Sequence, residues 1–110
     1  MTCFLIDWNQ NTGINRWKIA TVLHPPGKIP HVVFGYVGLW GALTGMSAAG
    51  LTVHEANLEE DQVTFSGFPW LLRLRYIMEN AKNSAQALAL WNTTVHSLPS
   101  FGDIRIHPCP

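Results

Sequence analysis

Apolar residues in the first half of the chain come in short runs separated by glycine, proline and asparagine. Runs of four to eight residues bounded by turn formers predict strands. Residues 2–8 form one such run, with Asp7 near its end, and residues 17–23 and 32–37 form two more. Between them, residues 9–15 (NQNTGIN) carry turn chemistry. His24-Pro25-Pro26-Gly27 forces a reversal, since proline extends neither a ladder nor a helix. Residues 39–46 read equally as a fourth short strand or a loop. Residues 45–50 predict a turn, 51–58 a further strand, and Glu59-Glu60-Asp61 a solvated acidic loop.

The period then changes. From 69 to 81, Trp70, Leu74, Ile77, Met78 and Ala81 recur at helical spacing, and Pro69 suits a first turn. Arg73, Arg75, Glu79 and Lys82 fall on the other face. Asn83 or Ser84 is placed to cap a second helix, 85–91, whose inward residues are expected to be Ala87, Leu88 and Trp91. Residues 96–110 hold three prolines and no coherent period, which predicts loose order. Strands followed by helices read as α+β. The expected division is one domain over 1–94 and an irregular C-terminal tail over 95–110.

Composition narrows the class. Of 110 residues, 47% are hydrophobic and only 13% charged, which excludes a disordered tail. Seven basic and seven acidic residues give zero net charge, so no overall field attracts nucleic acid. So few charges leave little to keep a surface wet, and part of it is expected to be covered by more protein. Residues 29–54 contain no Asp, Glu, Lys or Arg, and Gly41 and Gly45 form a GxxxG pair. Glycine every few residues between β-branched runs nevertheless favours buried sheet over a membrane span. Cys3 and Cys109, at opposite ends, do not make a disulfide scaffold. Nothing at the start of the sequence reads as a signal peptide, and localisation is left open; Asn92-Thr93-Thr94 is a glycosylation sequon.

Candidate chemistry is sparse. His107-Pro108-Cys109 is the only close pair of metal-ligating residues, and neither a dinucleotide fingerprint nor a Walker lysine occurs, so no metal and no cofactor is expected. Asp7, at the end of an apolar strand, is either an ordinary strand-end carboxylate or one that orients a nucleophile. Asn57 either caps the turn before the acidic loop or offers its amide to an oxyanion. Cys3 reads as a core thiol or a nucleophile. The five tryptophans are expected in the core. His54 and Glu55 point to opposite faces of a strand, so adjacency does not make them a dyad.

Several segments in order carry a resemblance. Gly45-Met46-Ser47-Ala48-Ala49-Gly50-Leu51, followed by Asn57, resembles the GMNxxGL…N segment of N-terminal-nucleophile hydrolases. The branch is that of isopenicillin-N acyltransferase, choloylglycine hydrolase and acid-ceramidase-like proteins. Ile6-Asp7-Trp8-Asn9 with Thr12-Gly13-Ile14 resembles its RNLDW…TGI strand and turn, and residues 65–70 and 87–91 suit the helices that follow. The resemblance implies part of an αββα sandwich, an antiparallel sheet followed by two helices. It also implies a cysteine nucleophile exposed by autocatalytic cleavage, its α-amine acting as base on a linear amide. Asp7 then matches the Asp beside the nucleophile and Asn57 the oxyanion Asn. Ser47 and Phe4 replace the usual Asn and Arg, and the attacking cysteine is expected about fifteen to twenty residues before Asp7, a spacing Cys3 does not meet.

The expected function is that of a fragment of an amidohydrolase or acyltransferase whose small-molecule substrate is an N-acyl amine or N-acyl lipid, inactive alone. The alternatives are a non-catalytic α+β interaction module and a non-functional partial gene product. The expected partner is a protein, or the remainder of the same fold, covering apolar surface.

Overall fold

The computed structural model describes residues 10–55, 67–93 and 105–108, with Gln10 and the last four described by their backbone alone. The chain is α+β. Two 3-10 turns, Gln10–Thr12 and Ile14–Trp17, lead into β1 (Lys18–Leu23), β2 (His31–Tyr36), β3 (Thr44–Ser47) and β4 (Leu51–His54). Helices α1 (Trp70–Asn80) and α2 (Ser84–Thr93) follow, and β5 (Arg105–Pro108) closes the order. The five strands form one antiparallel sheet in sequence order.

The hairpins close where the punctuation demanded. Lys28 N donates to Pro25 O at 3.1 Å, with Gly27 at φ 70°. Gly50 N donates to Ser47 O at 3.0 Å, with Gly50 at φ 75°, a backbone region open to glycine at little cost. The turn therefore begins after Ser47, because Gly45–Ser47 still pair in β3. Of the ambiguous 39–46 segment, only its end is strand.

Register sorts the sheet into two faces. The row Thr21–Val33–Gly45–Val53 faces the helices, and Val33, Leu51 and Val53 pack there with Leu74, Ile77, Met78, Ala81 and Ala87. The row Val22–Val32–Met46 lies on the opposite face. α1 starts at Trp70, with Pro69 in the N-cap position, and buries Leu74, Ile77 and Met78, as its period predicts. Asn83 caps α2, its Oδ1 accepting from Gln86 N at 2.9 Å.

Four expectations are corrected. Arg73 is buried, because it lies one turn before Ile77 on the flank against which α2 packs. Leu88 is exposed, since Ala87 and the partly buried Leu90 and Trp91 occupy the inward side of α2. Trp17 and Trp40 stand in solvent at 61% and 81% exposure, outside the core; neither lies in a strand that faces the helices. Within the patternless 96–110 stretch, residues 105–108 pair with β4 from Leu51↔Pro108 to His54↔Arg105, the sheet supplying order that local period does not. The expected boundary at 94/95, the acidic loop and the strand at 2–8 lie outside the described residues. Among the described residues, no helix is long and apolar enough to cross a membrane.

Candidate functional site

Asp7, Asn57 and Cys3 lie outside the described residues. The Gly45–Leu51 segment forms the β3–β4 hairpin, and the turn closes with Ser47 where the resemblance has asparagine. From there β4 runs to His54, with Glu55 just beyond.

At that end, Thr44 and His54 are cross-strand partners. Thr44 Oγ1 donates to Val53 O at 3.0 Å, which leaves its oxygen to accept from His54 Nδ1, also at 3.0 Å. A hydroxyl has one hydrogen, so this assigns the ring hydrogen to Nδ1. The pair fixes the imidazole on the sheet face away from the helices. Glu55 is half-buried, and desolvation raises its carboxyl pKa above the ordinary 4.5. Glu55 lies beyond the end of β4, so strand alternation does not set its direction relative to His54.

A second polar cluster lies on the helix side at the other end of the strands. His31 and Ser47 are cross-strand partners, both buried. His31 Nδ1 donates to Ile29 O at 2.9 Å, while Nε2 lies 3.9 Å from Glu79 Oε1. Glu79 in turn accepts from Arg75 Nε at 2.9 Å, an i,i+4 pair on α1. Serine, histidine and glutamate are the residue types of nucleophilic catalysis, but the arrangement does not match. There the carboxylate holds Nδ1 and the hydroxyl meets Nε2; here a backbone carbonyl holds Nδ1. Ser47 Oγ and His31 Nε2 are buried with no hydrogen-bond partner, and the His31 side chain has no exposed surface for a substrate to reach. The cluster ties β2 to α1, helped by Ile29 N donating to Glu79 O at 3.1 Å and by Lys28 Nζ to Asn80 Oδ1 at 2.6 Å.

An open groove of about 580 Å³ runs between α1 and α2, lined by Tyr76, Asn80, Lys82, Gln86, Leu90 and Thr93. Its polar groups largely serve the helices: Asn80 Nδ2 donates to Tyr76 O, Gln86 Oε1 accepts from Lys82 N, and Thr93 Oγ1 donates to Ala89 O. Among the described residues, no three His, Cys, Asp or Glu side chains could hold a metal ion together.

No model of a known protein family matches the chain, and no curated protein matches it in sequence. The Thr44–His54 and His31–Ser47 pairings were not apparent from the sequence. Each joins residues ten or sixteen positions apart, and only the register of two hairpins brings them together.

Proposed function

We propose that this chain supplies half of an amide-cleaving pocket of the cysteine N-terminal-nucleophile type, with Asp7 beside the nucleophile and Asn57 at the oxyanion. The observation that carries this reading is the sheet's uneven dressing. Helices cover one face, whereas the opposite face offers Val22, Phe34 and Met46 to solvent. A second sheet packed there, about 10 Å away, would complete an αββα sandwich and remove that apolar surface from water. The hairpin formed by Gly45–Leu51 supports the same reading, since a strand follows the turn as the resemblance implies. The substrate class is a linear N-acyl amine or N-acyl lipid.

On this reading the 110-residue chain alone hydrolyses nothing, because Cys3 is out of register with Asp7. The polypeptide read from the full transcript releases amine from N-acyl amides, and thiol alkylation stops it. Asn57→Ala lowers turnover there by about 10²–10³-fold through loss of an oxyanion donor. A full-length product that releases no amine, or does so regardless of alkylation and Asn57, overturns the proposal.

The exposed apolar face also favours a second reading, a non-catalytic module that holds a partner protein across it. Val22→Asp then abolishes partner capture in a chain that neither trims itself nor cleaves amides.

A further inference from the structure

Two tryptophans stand in solvent at one end of the sheet, in segments that the backbone joins. Trp17 ends the 3-10 turn before β1, and Trp40 follows the turn that leaves β2. Val37 N donates to Trp17 O at 2.9 Å, continuing the ladder beyond the Lys18↔Tyr36 pair, and Val37 is itself exposed. Arg16 and Lys18 flank Trp17, and both are exposed. No Asp or Glu occurs between residues 8 and 54, a stretch that holds Arg16, Lys18 and Lys28. Arg16 and Lys18 make the start of β1 locally basic, whereas Lys28 lies at the opposite end of the sheet in the β1–β2 hairpin, and Glu55 follows the end of β4.

Indole has an apolar body and an N–H that seeks water, which places it at the level of lipid headgroups. Guanidinium and ammonium groups beside it are drawn to an anionic surface and stay hydrated there. The dry core of a protein interface suits this end poorly, because Arg16 and Lys18 would lose their hydration there. The uncharged Val22–Val32–Met46 row differs in just this respect. We propose that the sheet end formed by Arg16, Trp17, Lys18, Val37 and Trp40 docks on an anionic phospholipid surface, with both indoles at headgroup depth. The proposal is independent of the amidase reading, since a chain that cleaves nothing still binds.

The test is co-sedimentation of the 110-residue chain with phosphatidylcholine vesicles, with and without about 30 mol% phosphatidylserine. Binding to the anionic vesicles is at least about tenfold tighter and weakens as salt is raised. The double variant Trp17→Ser/Trp40→Ser loses at least about tenfold of that binding, and Arg16→Glu/Lys18→Glu removes the preference for anionic lipid. All four side chains are exposed, so the variants melt as the parent does. Leu88→Ser, which alters an exposed apolar residue elsewhere, leaves binding unchanged. The proposal is overturned by absence of binding to anionic vesicles, by equal binding in the double variants, by an equal loss in Leu88→Ser, or by a dimer that forms through Trp17 and Trp40 without lipid.

Discussion

A methyl group at Gly45 would sit 2.5 Å from Met78 Sδ and 2.6 Å from Val32 O. The thioether can swing aside, but the carbonyl belongs to the neighbouring strand and cannot. Gly45→Ala therefore destabilises the fold by about 1–3 kcal/mol, as overpacking does. Met78→Ala does not rescue it in a double variant, a result that denaturant titration resolves. Gly41 is confined in the same way, its missing Cβ blocked by Leu71 carbonyl atoms at 2.7 and 2.8 Å, and Ala42 N donates to that same carbonyl. The spacing of these two glycines was visible in the sequence, but spacing alone does not name the partner: Gly45 admits α1 against β3, and Gly41 admits it against the loop before β3.

Arg73 joins the two helices. Its guanidinium donates to Trp91 O and lies 3.6 Å from the centre of the Trp91 ring. Burial lowers its pKa, yet a guanidinium stays charged at neutral pH. That planar cation satisfies a carbonyl in the last turn of α2, where the helix dipole favours positive charge. Arg73→Ala costs about 2–4 kcal/mol by removing the stack and the charged donor to Trp91 O. Arg73→Lys recovers only part of this, because an ammonium cannot both stack flat and donate; thermal melts of the two variants check the order. Elements with their own period were legible: β1, β2 and α1 follow from alternation, a turn signal and a helical stripe. In α2 nearly every position from Ala85 to Trp91 is apolar, so the stripe does not choose a face, and packing puts Leu88 outside. β5 has no local signal, and its only cause is the open edge of β4.

Across the molecule, Glu55 links stability to pH. Its folded pKa is raised, so the neutral carboxyl stabilises the fold fully below the ordinary value of 4.5. That contribution is lost as pH rises through the folded pKa, when a half-buried carboxylate must ionise. Glu55→Gln removes the titration: its stability equals the parent's below pH 4.5 and exceeds it at neutral pH, which melts across the range measure. The α+β layout was legible at this scale because strand-type and helix-type periods occupy separate halves of the sequence. The proposed site rests on residue types in order alone, since Asp7 and Asn57 are about fifty positions apart, spacing sets no distance between them, and both lie outside the described residues.

The placement of β5 bears on how the protein is made. The first four strands are chain neighbours and pair by short closures, so they can form as each leaves the ribosome. The strand that covers β4 emerges about fifty residues later, several seconds at ordinary rates of translation. Through that interval β4 presents a bare edge, open to any extended segment nearby, and a nascent chain that stalls before Arg105 leaves it permanently uncapped.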